Sequence, residues 1–283
     1  MPELPEVEIL ARHLRPLLVG RTIRGVDIRR PEVLAPTPVG PFKKLLTGAK
    51  FLGLTRRGKY LLFALRARGA RTNFILLGHL GMTGRMFLTA KGGPPTKHAA
   101  VILHLGRRDF IYDDMRYFGR FTLDLSPVDR LGPEPLAEGF TAEEFGRELK
   151  RSRQAVKVKL LDQSLVAGVG NIYASESLFR AGISPRRAAN RLARAEVEKL
   201  WRAIREVLGE AIGWGSTVPL NFQAHDGDGL FYYGSAGGEA DFSTERLRVY
   251  DRAGQPCLVC ETPVKRIVQG ARSTFFCPHC QRA

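Results

Sequence analysis

The sequence predicts an α+β chain: a β-rich N-terminal region led by one helix, then a helical region, then a small metal-bound ribbon. Three observations predict it. Leu4, Val7, Leu10, Leu14 and Leu17 recur at helical spacing, and short β-like runs then follow one another from about Thr22 to Leu125. An apolar stripe of Val197, Leu200, Trp201, Ile204, Val207, Leu208, Ala211 and Ile212 repeats at i, i+3, i+4, i+7. All four cysteines fall after residue 256, as Cys257, Cys260, Cys277 and Cys280.

Each element has a local reason. Pro5 suits the first turn of a helix, where amides have no intrahelical partner to lose. The runs KFLGLTR, KYLLFALR, NFILLGHL, RMFLT, AVILHL, DFIYDD and GRFTLDL are separated by turn signals such as Gly58, Gly69, Gly92-Gly93-Pro94-Pro95 and Gly106. This pattern predicts a β-sandwich or a barrel-like domain. SPVDRLGPEPLAEGF, rich in proline and glycine, reads as a linker to the helical region. The cysteines form C-x2-C, sixteen residues, C-x2-C, which is zinc-ribbon spacing: two knuckles bring four thiolates to one tetrahedral ion. Two ordinary disulfides are the alternative, although a secreted framework normally spreads its cysteines. His279 lies between the last pair as a bystander, because four thiolates complete the site.

Composition narrows the function. At 283 residues the chain accommodates two domains, or one large domain with an appendage, and 44% hydrophobic residues suffice for a core. No run of eighteen uncharged apolar residues appears, so no membrane span is expected. MPELPEVEIL has neither the basic start nor the apolar run of a targeting signal. The formal charge of +16 favours a polyanionic partner, nucleic acid first, over a merely solvated basic surface.

Several residues could carry chemistry. With the initiator methionine removed, Pro2 becomes a secondary amine; an α-amino group has a pKa near 8, so roughly a tenth is neutral at pH 7. Such an amine is a ready nucleophile, and Glu3 beside it is a natural acid/base partner. A capped surface helix is the plainer reading of the same residues. Lys59 follows a glycine turn in RRGKYLL, either solvated or on a phosphate. ELKRSRQAVKVK gathers Lys150, Arg151, Arg153, Lys157 and Lys159 into a patch for a phosphate backbone. LVAGVGNIYASE reads as a glycine-rich turn offering amides to a phosphate. HLGMTG and DDMRYFG place Met82, Arg116 and Phe118 in turns; such residues are usually core, but a DNA-distorting protein needs wedges of this kind.

PELPEVE, RRGKYLL, HLGMTG, DDMRYFG, LLDQSLVAGVGNIYASE and the ribbon ending RSTFFCPHCQ together resemble formamidopyrimidine-DNA glycosylase, in that family's order and over nearly the whole chain. The resemblance implies an N-terminal β-sandwich with flanking helices over residues 1–130, a helix–two-turn–helix DNA-binding domain over 131–248 and a zinc-finger β-hairpin over 249–283. It implies a bifunctional glycosylase and abasic-site lyase excising oxidised purines, such as 8-oxoguanine and formamidopyrimidines, from double-stranded DNA. The protein would be a monomer of the bacterial cytosol with one structural zinc ion. Pro2 matches the nucleophile that attacks C1′, Glu3 the acid/base residue, Lys59 the lysine tied to β-elimination and Arg272 the arginine tied to the second elimination. Asn171 matches the asparagine that holds backbone phosphate. Met82, Arg116 and Phe118 match the triad filling the gap left by the flipped base, and His98 and Arg153 match further DNA contacts.

One stretch departs from the family pattern. DGDGLFYYGSAGGEADFSTERLRVYDR is longer, with rearranged glycines, where the family carries a loop that closes over the extruded base. Two alternatives accompany the main reading: the related oxidised-pyrimidine enzyme, which the PELPEVE start and the Met-Arg-Phe triad disfavour, and a non-catalytic DNA-binding zinc protein, which would need neither Pro2 nor Glu3.

Overall fold

The computed structural model describes residues 2–93, 96–213, 220–221, 232–233 and 247–282. The chain packs into two compact units, one of Met1–Pro2, Glu6–Asp129 and Val218–Glu239, the other of Glu3–Pro5, Arg130–Thr217 and Ala240–Ala283.

In the first unit, helix α1 (Leu4–Leu18) buries Val7, Leu10 and Leu14 of the expected stripe, whereas Leu17 is only partly buried and Ala11 and Leu18, outside that stripe, are buried as well. Strand β1 (Gly25–Ile28) and helix α2 (Val39–Leu46) precede the hairpins. Then come β2 (Lys50–Arg57), β3 (Tyr60–Arg66), β4 (Asn73–His79), β5 (Gly84–Ala90), β6 (Ala99–His104), β7 (Arg108–Asp114) and β8 (Arg120–Thr122). They form two separate antiparallel sheets, β1-β6-β7-β5 and β2-β3-β4-β8, so the sandwich and not the barrel is the outcome. Alternation along β3 buries Leu61, Phe63 and Leu65. Phe63 meets Phe110 and Phe121 edge-on at 5.8 and 5.9 Å between centroids, a geometry that suits the ring quadrupoles. Helix α2 lies inside the stretch expected to be all strand; it buries Phe42 and Leu46 in this core.

The second unit carries a run of helices, preceded by a short one that closes the Glu6–Asp129 segment of the first. After the one-turn α3 (Ser126–Asp129) come α4 (Ala142–Lys150), α5 (Val156–Leu160), α6 (Asn171–Ala181) and α7 (Arg194–Gly213). Thr141 caps α4 by accepting the Glu144 N–H at 3.2 Å. Gly182, at φ +70, ends α6 in the left-handed conformation. The apolar stripe of α7 is core at Val197, Leu200, Ile204, Val207, Leu208 and Ala211. The expected linker is not loose at its helical end: Trp201 Nε1 donates to Phe140 O at 2.8 Å, and Arg205 donates to Pro135 O and Ala137 O at 2.7 and 2.9 Å.

Leu220–Asn221 (β9) and Tyr232–Tyr233 (β10) pair as a short antiparallel ladder. The rest of 218–242, expected to cover an extruded base, lies outside the described residues. The second unit ends in a hairpin of β11 (Lys265–Gln269) and β12 (Arg272–Phe276). Gly270 and Ala271 have φ of +54 and +58, so the two-residue turn curls with the twist of its strands and puts Arg272 at its tip. No described helix is long and apolar enough to cross a membrane.

Candidate active site and zinc centre

Glu3 is 1% exposed and lies against the start of α6. Its carboxylate accepts the N–H groups of Gly170 at 2.7 Å, Ile172 at 2.9 Å and Tyr173 at 3.4 Å. These are donors that a helix N-terminus leaves without intrahelical partners, and the helix dipole favours an anion there. The amides of LVAGVGNIYASE thus hold this chain's own carboxylate, not a phosphate, which corrects the expectation for that turn. The Gly168 N–H is also taken, by Gln163 Oε1 at 2.9 Å. Glycine is required because the N-terminal segment passes so close. A Cβ on Gly170 would sit 2.3 Å from the Glu3 carboxyl carbon, and one on Gly168, at φ +86, 2.6 Å from Leu4 Cβ.

A second polar group gathers around Asn171, the first residue of α6. Its Nδ2 donates to Ser273 O at 2.8 Å, and its Oδ1 accepts from Lys157 Nζ. Lys157 is 0% exposed, and its pKa is pushed down to about 8 by burial and then by the Arg272 charge, with Glu3 opposing. Burial raises the pKa of Tyr250, whose hydroxyl hydrogen-bonds Asn171 and feels both Glu3 and Arg272. Glu3, Lys157, Asn171, Tyr250 and Arg272 therefore share one electrostatic neighbourhood, whereas sequence singled out only three of them for it.

The cations expected beside Lys157 are mostly engaged within the protein. Lys150 Nζ donates to Asn190 O and Leu192 O at 3.0 and 2.8 Å, Lys159 pairs with Asp162 at 2.7 Å, and Arg151 pairs with Glu148. Of the five residues expected to face a phosphate backbone, Arg153 alone is exposed with neither a hydrogen bond nor an ion pair from its side chain among the described residues. Glu176, also unforeseen, is buried on the same helix as Asn171 and accepts the N–H groups of Arg248, Val249 and Tyr250 at 2.8, 3.0 and 2.8 Å. Burial raises its pKa against those three amides.

In the sandwich unit, Pro2 is buried. Lys59 sits with Gly58 in the two-residue turn between β2 and β3 and is only 7% exposed, so it is not the solvated turn lysine that composition suggests. Arg56 braces this turn, donating to Gly58 O at 3.0 Å and to Glu8 of α1 at 2.9 Å. Burial alone would raise the pKa of Glu8, but the hydrogen bonds and charges of Arg12 and Arg56 outweigh it and lower the pKa. His79 lies within electrostatic reach of Lys59; burial first, then the Lys59 and Arg120 charges, lower its pKa to about 4, against the pull of Asp114. It is neutral at pH 7, with Nδ1 positioned to accept the Gly81 N–H at 3.3 Å.

Met82, Arg116 and Phe118 come together at one end of the β5–β7 pair. Arg116 Nη1 lies 3.3 Å from Met82 Sδ, and its guanidinium carbon lies 4.6 Å from the Phe118 ring centroid. Met82 and Phe118 are 42% and 58% exposed, so the core reading of these residues does not hold. Buried Asp114 shapes the loop that presents them, accepting from Thr83 Oγ1 at 2.6 Å, Gly119 N at 2.8 Å and Arg116 N at 3.2 Å. HLGMTG and DDMRYFG need their glycines because the two loops touch backbone to backbone: a Cβ on Gly81 would lie 2.6 Å from Gly119 N. His98 is half-buried, and its carbonyl accepts the Asp114 N–H at 3.1 Å.

The four cysteine sulfurs lie within 4.8 Å of one another, and all four cysteines are free. Cys260 Sγ is 3.4 Å from both Cys277 Sγ and Cys280 Sγ, and Cys257 Sγ is 3.9 Å from Cys280 Sγ. A disulfide needs about 2.05 Å. A tetrahedron with Zn–S bonds of about 2.3 Å has edges of about 3.8 Å, which these distances match. The cysteines form a structural site for one zinc ion. Cys280 N also donates to Cys277 Sγ at 3.4 Å, a hydrogen bond within the knuckle.

Residues 1–121 match the formamidopyrimidine-DNA glycosylase N-terminal domain, 131–220 the helix–two-turn–helix domain of the same enzyme, and 254–283 a zinc finger found in it and in isoleucyl-tRNA synthetase. A formamidopyrimidine-DNA glycosylase of Desulfitobacterium hafniense is 43% identical over 288 residues, covering 99% of this chain and 100% of that one. A crystal structure of a Lactococcus lactis point mutant of the enzyme with Fapy-dG containing DNA superposes with a TM-score of 0.87 at 33% identity, covering 100% of both chains. The Lactococcus lactis enzyme with abasic-site DNA gives the same TM-score and identity over 99% of this chain and 100% of that one. With three domain matches in register and full-length relatives at this identity, the chain belongs to the formamidopyrimidine-DNA glycosylase family.

Proposed function

We propose that this chain is a bifunctional DNA glycosylase and abasic-site lyase that removes oxidised purines, including 8-oxoguanine and formamidopyrimidines, from duplex DNA in the bacterial cytosol. The observation that carries the reading is the amide fan around Glu3, which fixes a carboxylate one residue from the prospective nucleophile. With the methionine removed, Pro2 presents a secondary amine and Glu3 handles its proton. The amine nitrogen attacks C1′ as the bond from C1′ to the base breaks; the C1′–O4′ bond then opens, O4′ takes up a proton, and the nitrogen lone pair completes the Schiff base. Lys59 serves the β-elimination that follows and Arg272 the δ-elimination, which together cut the strand on both sides of the sugar.

Base flipping precedes this chemistry, since the reacting carbon is shielded in a stacked duplex. Met82, Arg116 and Phe118 fill the gap the base leaves, an assignment supported by their exposure and mutual contact. Asn171 holds backbone phosphate, and His98 and Arg153 serve as further DNA contacts. DNA bound in the Lactococcus lactis relatives and the +16 charge of this chain support the substrate class.

Borohydride reduction tests the nucleophile. Incubation of the methionine-processed protein, verified by intact mass, with an 8-oxoguanine duplex should trap a covalent adduct on the N-terminal peptide. Pro2→Gly should greatly reduce trapping and keep duplex affinity within a few-fold. An adduct mapped to Lys59 would overturn the assignment.

A further inference from the structure

At the end of the sandwich away from the Met82–Arg116–Phe118 cluster, three chain segments put cations around one concave surface of about 420 Å³. Arg21 and Arg24 come from the segment before β1, Lys91 from the end of β5, and Arg107 from the turn between β6 and β7. All four side chains are exposed and make no hydrogen bond or ion pair among the described residues. The nearby acids do not neutralise them: Asp27 and Asp109 both hold His104, at 3.1 and 2.8 Å.

Backbone bonds fix the frame. Arg24 N donates to His104 O at 2.7 Å, Lys91 N to Arg107 O at 3.0 Å and Leu105 N to Arg108 O at 2.8 Å. Gly106, at φ +100, leaves room for the Arg24 guanidinium, whose Nε would lie 3.3 Å from a Cβ there. An adjoining hollow has buried Leu88 and Leu105 beneath Arg21 and Arg107. Such an apolar floor keeps water from one side of the cations, which strengthens their field above it.

The strands also measure the separation from the flipping cluster. β5 and β7 pair from Gly84↔Asp114, beside Met82 and Arg116, to Ala90↔Arg108, beside Lys91 and Arg107. Six residues of strand span about 20 Å. The two sets of side chains therefore lie at opposite ends of the β5–β7 pair.

We infer that Arg21, Arg24, Lys91 and Arg107 form an auxiliary phosphate-backbone site that holds a second DNA segment while the first is bound. This rests on the DNA-glycosylase reading above. Its consequence is direct transfer between DNA molecules through a doubly bound intermediate, so that release from one duplex speeds up as another is added.

The experiment follows release of the zinc-loaded full chain from a fluorescent 13-base-pair duplex while unlabelled duplex is raised. For the wild-type protein the release rate should climb with competitor. In R21Q/R24Q/R107Q the competitor-dependent part should fall at least tenfold, with release at low competitor and excision on the short duplex within twofold of wild type. The competitor-dependent part should also become less salt-sensitive by about three units of log–log slope, at roughly 0.9 for each phosphate no longer neutralised. Competitor dependence that survives in the variant, or is absent from the wild type, overturns the inference. So does equal loss of short-duplex excision, which would put these cations on the primary surface. Failure of the wild-type protein to bind or cut the labelled duplex at all would instead overturn the glycosylase reading.

Discussion

Glu3 and Gly170 are 167 residues apart in sequence, yet the Gly170 N–H donates to the Glu3 carboxylate at 2.7 Å and leaves no room for a side chain between them. The glycine is the steric condition for the carboxylate's position. Gly170→Ala puts a methyl carbon 2.3 Å from the carboxyl carbon, so the acid must move. A displacement near 1 Å at a reacting group can cost about a hundredfold in rate. Excision and abasic-site cleavage should therefore both fall by that order, while the sandwich, whose core does not include Gly170, keeps its melting transition. Glu3→Gln should also destabilise the helical unit, by about 1–3 kcal/mol, because an amide cannot satisfy the three N–H donors as a carboxylate does. Near-normal cleavage by Gly170→Ala would show that the fan is structural only.

Arg116 bridges Met82 and Phe118 on an exposed loop, so it can be removed without opening the core. Arg116→Ala should impair excision of 8-oxoguanine from a duplex about tenfold or more and impair cleavage at a preformed abasic site much less. Unstacking costs a few kcal/mol and must be offset by groups that occupy the gap. Met82→Ala should act in the same direction more weakly, since it removes only an apolar wedge. Parallel kinetics on the two substrates decide the point; equal losses would indicate a general binding defect.

What was legible in the sequence is what depends on short-range pattern. Val7, Leu10 and Leu14 follow the helical period and are buried, and the two C-x2-C pairs bring their sulfurs together. HLGMTG and DDMRYFG marked an exposed cluster because glycines and bulky side chains alternate there for a steric reason. Long-range partners were not legible. LVAGVGN carries the same local signal whether its amides meet a phosphate or Glu3, and only the path of the N-terminal segment decides. ELKRSRQAVKVK read as a basic patch because charge count does not reveal facing; Lys157 points inward to Asn171 and Lys150 to two carbonyls. Asp114 and Glu176 gave no signal, since a carboxylate that serves backbone amides has no motif of its own. A string of β-like runs likewise cannot distinguish a sandwich from a barrel, because closure depends on which edge strands pair.

His104 gives a pH-dependent stability term with a definite sign. Burial alone would lower its pKa, but hydrogen bonds and charges from Asp109 and Asp27 outweigh that and raise it above 6.5. A folded-state pKa above the unfolded one means the imidazolium stabilises the fold fully below about pH 6.5, and the effect is lost as pH rises through the folded value. His104→Asn should therefore lower the melting temperature most near pH 5.5, with the gap to wild type closing in alkaline buffer. His104 is partly exposed and Asp27 exposed, and added salt should therefore shrink part of the gap. A gap that widens with pH would reverse the assignment.

Cys257→Ser tests the zinc centre and its link to chemistry. Structural zinc supplies on the order of 10 kcal/mol to modules of this size, whose own core is small. Here that core is Val249, Val264 and Phe275 around Cys257 and Cys277, too little to hold the hairpin alone. Loss of the ion should unfold β11–β12 and release Arg272 from the turn that presents it. Ser273 O would leave Asn171 at the same time, since it lies on the same strand. Duplex binding and strand cleavage should then fall together, whereas the aromatic sandwich core should still melt cooperatively. Metal analysis, circular dichroism and cleavage assays on one preparation separate these effects. Full activity in chelator-treated protein with no detectable metal would mean that the four thiols hold the hairpin without an ion.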